Sequence, residues 1–187
     1  MNTDLETLLD KQRIHEVLAT YCRGVDRCDA ALVRSVYHPD SYDDHGYWKG
    51  PGHEFADFVV DRLWQANSAT MHTIANVLID LVEPGIAISE AHVHVTLVRR
   101  GTGAKIADIM GARYIDRLSK RDGDWKIDER TVVLEWTKVE TWPVSEPAIP
   151  LDNFTWGRRG DARDAVYEMH ANRTLQLTGS AGPELGR

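Results

Sequence analysis

Residues 70–98 read TMHTIANVLIDLVEPGIAISEAHVHVTLV. Two β-rich runs flank Glu83-Pro84-Gly85, a tripeptide with turn chemistry, and this spacing predicts an antiparallel hairpin. In the second run Ala91, Val93, Val95 and Leu97 alternate with Glu90, His92, His94 and Thr96, the period of a strand with one apolar and one solvated face. Further on, IADIMGARYIDRLSKRDGDWKIDERTVVLEW (106–136) contains two more strands joined at Asp122-Gly123, a strong hairpin signal. Residues 68–136 therefore read as a long antiparallel meander.

Before residue 68 the period is helical. Ile14, Val17, Leu18, Tyr21, Cys22 and Val25 recur on one face of a first helix, with Gly24 as its stopping point. A short second helix is predicted in residues 26–40, closed by Pro39, and a third in residues 50–66, with Phe55, Phe58, Val59 and Leu63 as its apolar stripe. Between them SYDDHGYWKG (41–50) reads as a short strand entering a turn. Helices first and a meander afterwards mean an α+β fold, with the helices packed against one face of a curved antiparallel sheet. From Thr137 the prolines 143, 147 and 150 predict an extended arm, followed by a short helix in residues 157–173. Residues 1–140 are thus expected to form the α+β domain, and residues 141–187 an arm and helix that cover it or a neighbouring subunit.

The 187 residues are 42% hydrophobic and 27% charged, the balance of a globular protein, with a formal net charge of −7 and no basic block. Nucleic acid is not an expected partner. The first residues carry charges throughout and no apolar run approaches a membrane span, so a cytoplasmic location is expected and a membrane is not. Cys22 and Cys28 stand six positions apart, which fits neither a CxxC redox motif nor a zinc pattern.

One residue in the opening stretch is out of place. His72 lies in a strand that also carries Ile74, Val77, Leu78 and Ile79, so its imidazole is either a hydrogen-bonded core group or a base on a pocket wall. Asp26, just after Gly24, can orient that imidazole, or it or Asp29 can cap the second helix. Tyr21, on the buried face of the first helix, has a hydroxyl that needs a partner. In Asp43-Asp44-His45-Gly46, alternation sends Asp43 and His45 to one side and Asp44 to the other, which is a poor arrangement for a metal. His92 and His94 have a metal-ligand spacing but share the solvated face. No metal site is expected. Arg130 is an internal anion holder or an outer-face charge; Trp48, Tyr114, Asn76, Asp43 and Arg130 are the candidates for contact with a substrate.

The segments IHEVLATYCRGVDRCDAALVRSVYHPD (14–40), DDHGYWKG (43–50), TMHTIANVLI (70–79) and GARYIDRLSKRDGDWKIDERTVVLEW (111–136) resemble the SnoaL-like branch of the nuclear-transport-factor-2-like superfamily. The resemblance covers roughly residues 5–140 and implies a cone-shaped α+β barrel, a curved antiparallel sheet wrapped on N-terminal helices. Within this branch the chain is similar to hexachlorocyclohexane dehydrochlorinase, scytalone dehydratase and bile acid 7α-dehydratase. Carried over position by position, the resemblance implies a base pair of His72 and Asp26 and a role for Tyr21; the family's further polar group on the middle strand has no match here, and the Asp43-Asp44-His45 segment is the candidate to supply it, with Tyr21 and His45 as the expected donors to a leaving oxygen. The implied activity is a cofactor-independent lyase, a dehydratase or related eliminating enzyme, possible also as formaldehyde-releasing C–C cleavage. Its substrate is a hydrophobic ring-containing molecule such as a steroid or lignin-derived aromatic. An isomerase or polyketide-type cyclase of the same fold, or a non-catalytic small subunit of a ring-hydroxylating dioxygenase, is the alternative. A homo-oligomer, trimer or dimer, is also implied.

Overall fold

The computed structural model describes residues 3–143 and 147–178 and divides into two compact units, Met1–Ser145 and Glu146–Arg187. The first unit opens with α1 (Thr3–Arg27), whose buried Ile14, Leu18, Tyr21, Cys22 and Val25 follow the predicted helical spacing. Gly24 does not stop it. The helix runs one turn further and ends at Cys28, whose φ of 54° is the left-handed conformation that breaks a helix. Gly24 serves packing instead: a Cβ there would lie 2.7 Å from Val33 Cγ2 and 2.9 Å from the Val33 backbone nitrogen.

Asp29 then caps α2 (Ala30–Ser35), its Oδ1 accepting from Leu32 N at 2.9 Å. That assignment leaves Asp26 outside the capping role. The predicted second helix ends early because Tyr37–Asp44 is strand β1, and Pro39 sits in it where no partner strand is paired between Tyr37 and Tyr42. Strand β2 (Lys49–Pro51) and helix α3 (Gly52–Ala66) follow, the helix burying Phe55, Ala56, Val59 and Leu63.

Four long strands complete the unit: β3 (Asn67–Glu83), β4 (Ile86–Arg99), β5 (Lys105–Arg121) and β6 (Asp124–Trp142). The sheet order is β2-β1-β6-β5-β4-β3, antiparallel except where β1 runs parallel to β6. Both hairpin turns form as read, with Gly85 at φ 74° and Asp122 and Gly123 at φ 54° and 92°. Residues 137–142, expected to begin the arm, continue β6 and pair with residues 105–110. The sheet curves and stays unclosed. Helix α1 packs on β3 and β6, and α3 touches both β1 and β3, so the helices fill the concave side.

Bulges decide which residues face inward. In β3 the buried or half-buried positions are Asn67, Thr70, His72 and Ile74, then Val77, Ile79 and Leu81. The phase changes because the register with β4 shifts by one residue between Ile74 and Val77. A similar shift between Arg117 and Leu118 resets β6, so that Arg130 follows Ile127 on the buried side.

In the second unit, residues 147–164 lack helix and strand and α4 spans Ala165–Thr178. Asp164 accepts from the backbone of Arg158 at 2.7 Å. Among the described residues no helix is long and apolar enough to cross a membrane.

Gly24→Ala is expected to lower the unfolding free energy by about 1–3 kcal/mol through overpacking against the Val33 backbone. Urea denaturation checks this; an unchanged midpoint contradicts the packing role.

Candidate active site

Asp26 lies in the last turn of α1, beside β3. Its Oδ1 is 2.7 Å from His72 Nδ1, and its Oδ2 accepts from the His72 backbone N–H at 2.9 Å. One carboxylate thus fixes both the ring and the main chain of a single residue. With Nδ1–H donated to Asp26, the lone pair of the neutral imidazole lies on Nε2. Both side chains are about nine-tenths buried, at 9% and 11% exposure for His72 and Asp26.

A second imidazole–carboxylate pair stands nearby. Asp43, fully buried, accepts from the Tyr37 hydroxyl at 2.6 Å on Oδ2 and pairs with His45 Nδ1 through Oδ1. The other ring nitrogen, His45 Nε2, is 3.2 Å from the Tyr21 hydroxyl. Phe55 stacks on the ring at 4.1 Å between centroids and holds its plane. Asp44 points to the other side of β1, where Lys49 pairs with it at 2.7 Å.

Behind Tyr21 lies Arg130, fully buried, whose Nε and Nη2 both lie 2.7 Å from the Asp116 carboxylate, also buried. Its guanidinium carbon is 4.2 Å from the ring centres of both Tyr21 and Tyr114. A bidentate partner and two aromatic faces offset part of the cost of removing this charge from water, while the buried Nη1 has no hydrogen-bond partner among the described residues.

These groups meet at a cavity of about 760 Å³ in the first unit, whose wall includes Tyr21, His45, His72 and Tyr114. Apolar side chains such as Val59, Val93, Met110 and Val132 form the rest of that region, the mixture expected of a small-molecule site. Of the other sequence candidates, Asp43 and Arg130 lie directly behind the wall. Trp48 is not in it, because its ring stacks on Phe58 at 4.5 Å; the neighbouring Tyr47 lines the cavity instead. Asn76 is exposed, carried to the outer face by the β3 bulge, although unbroken alternation from His72 would turn it inward. His92 and His94 are exposed as expected. Among the described residues, no three His, Cys, Asp or Glu side chains are placed to share a metal ion.

Burial raises the Tyr21 hydroxyl well above its ordinary pKa, with Tyr114 and Tyr37 adding to the effect and Arg130 opposing it. The group is therefore protonated at neutral pH and acts as a donor. Burial likewise pushes the Cys22 thiol up to about 12, which makes it inert. His45 is lowered, chiefly by burial, against the pull of Asp43.

The sequence matches the SnoaL-like domain family over residues 6–131. The chain belongs to this family. SnoaL-like domains are part of the nuclear-transport-factor-2-like superfamily, and solved structures with the same fold include a hexachlorocyclohexane dehydrochlorinase from Novosphingobium barchaimii. That structure is 20% identical, has a TM-score of 0.68, and is matched over 78% of this chain and 100% of its own. A Novosphingobium aromaticivorans protein named for scytalone dehydratase is 18% identical at TM-score 0.64, over 75% and 97% of the two chains. A Mycobacterium tuberculosis protein of unknown function is 20% identical at TM-score 0.63 and is matched over 100% of this chain and 99% of its own. No protein of curated function matches the sequence.

Tyr47, Arg62 and Arg100 in the wall of this SnoaL-like cavity, and Tyr37 and Asp116 behind it, are not among the sequence candidates, and Phe55 is there only as an apolar helix position. Asp116 was within reach, since Ala112, Tyr114, Asp116 and Leu118 alternate to one face of β5.

The pKa of His45 predicts a pH dependence of stability. In the unfolded chain its pKa returns to about 6.5, so below that value the unfolded state binds a proton that the folded state resists. Folding stability is expected to fall from pH 7.5 to pH 5.5, and His45→Gln to flatten that fall. Urea titrations at both pH values check this, and an equal fall in both proteins contradicts it.

Proposed function

We propose that this SnoaL-like protein is a cofactor-independent lyase, acting on a hydrophobic ring-containing small molecule such as a steroid or a lignin-derived aromatic. The observation that carries the reading is the Asp26 carboxylate on His72 Nδ1 at 2.7 Å, which leaves Nε2 as the basic atom of a cavity residue.

In an elimination His72 Nε2 takes a proton from carbon and Asp26 holds the resulting imidazolium. The electron pair of the broken C–H bond forms the double bond, and the leaving group departs from the adjacent carbon with its own pair. A leaving hydroxyl takes the proton of the Tyr21 hydroxyl, which His45 orients through Nε2, and departs as water. After product release His72 gives up the proton it took and the Tyr21 oxygen regains one from solvent, which restores the starting state. Arg130 over the Tyr21 ring favours negative charge that develops on the hydroxyl oxygen. Solved proteins named for a dehydrochlorination and a dehydration share the fold and support this class of reaction.

The two separate acid–base groups on one wall also favour a second reading, an isomerase that returns the proton at another position. Product mass separates the two: a lyase product is lighter by water or another fragment, and an isomerase product is not. On a substrate found by screening ring-containing alcohols, His72→Ala and Asp26→Asn are each expected to lower kcat by about 10²–10⁴-fold. Full turnover by His72→Ala contradicts both readings.

A further inference from the structure

The cavity is asymmetric. Its acid–base end is buried, with Tyr21 at 1% and Tyr114 at 3% exposure. The other end is exposed and arginine-rich: Arg62, Arg99 and Arg100 all belong to the wall, and Asp108 is the acidic residue that accompanies them. Arg99 is matched by Asp108, with contacts of 2.8 and 2.6 Å. Neither Arg62 nor Arg100 has a carboxylate partner among the described residues. The mouth therefore carries uncompensated positive charge in a chain whose formal net charge is −7.

Both guanidiniums are held in place by aromatic faces. Arg62 lies 5.0 Å from the ring centre of Tyr47, and Arg100 lies 5.1 Å from that of Trp64. Arg100 Nε also donates to the Trp64 carbonyl at 2.8 Å, closing the C-terminal end of α3, and its two Nη groups remain for another acceptor. A guanidinium stacked by its face keeps its in-plane N–H fork open, so an anion meets a donor that is already oriented. The two sit close together, since the Arg100 backbone N–H bonds to the Ala66 carbonyl, one helical turn beyond Arg62. Arg99 stands four residues along β4 from Val95, the partner of His72, so the mouth is about 13 Å from the base at the usual strand rise. That distance leaves room for a ring body between the two ends.

We propose that Arg62 and Arg100 recognise an anionic head group, carboxylate or phosphate, on a substrate whose apolar body fills the cavity. This rests on reading the cavity as the substrate site but not on elimination chemistry, so it is tested by binding. The probes are 4-phenylbutanoate, 4-phenylbutanamide and 4-phenylbutyl phosphate, titrated into the full chain and followed by two-dimensional NMR. At least one anion is expected to bind about tenfold or more tightly than the amide. The tighter of the two identifies the head group. In the Arg62→Met/Arg100→Met double variant, checked for folding by circular dichroism, that preference is expected to vanish while the amide affinity stays within about twofold. His72→Ala is expected to keep the preference. Equal affinities in the wild type, no binding of either anion at 10 mM, a preference that survives the double variant, or one that disappears in His72→Ala overturns the proposal.

Discussion

A single carboxylate at the end of one helix ties that helix to the strand it crosses. Asp26 bonds the backbone N–H and the ring of His72 at 2.9 and 2.7 Å, so the same residue fixes the position of β3, the tautomer of the imidazole and the direction of its basic atom. The contact depends on features around it. Gly24 lets α1 approach Val33 closely, Cys28 ends the helix in the left-handed conformation, and Asp29 takes the capping role for α2. Moving any of these shifts the carboxylate relative to the strand, and a buried imidazole without its partner would be left with an unsatisfied N–H.

The opposite side of the cavity follows the same logic with different strands. Asp43 collects the Tyr37 hydroxyl and the His45 ring, and His45 passes the order on to Tyr21. Arg130 and Asp116 fill the space behind Tyr21 and Tyr114 with a charge pair that has no access to water. A buried pair of this kind contributes little net stability over an apolar substitute, so its value lies in fixing two tyrosines in one arrangement. The sheet stays curved around these groups because bulges in β3 and β6 change which residues turn inward.

The strands, hairpin turns and apolar faces of α1 and α3 were legible, because alternation, Asp-Gly turns and helical spacing are local signals. His72 was legible as an anomaly, and Asp26 as one of two readings that the Asp29 cap resolves. What failed depended on tertiary contacts. Gly24 looks like a helix end but is a close-packing position, and Asn76 follows the phase of His72 until an extra residue in β3 reverses it. Pro39 suggests the end of a helix, yet a strand accommodates it where pairing lapses. Trp48 and Tyr47 are adjacent, and only packing on Phe58 decides which of them reaches the cavity. Arg130 could not be placed inside or outside until the β6 register was known.

The contact between Asp26 and His72 is most directly tested by ¹⁵N NMR of the histidine rings at pH 7.5. The His72 ring is expected to carry a proton on Nδ1, held by Asp26 at 2.7 Å and shifted downfield by it. That downfield signal should be lost in Asp26→Asn. A His72 ring protonated on Nε2 alone, or one that averages between tautomers in the wild-type protein, would contradict that contact.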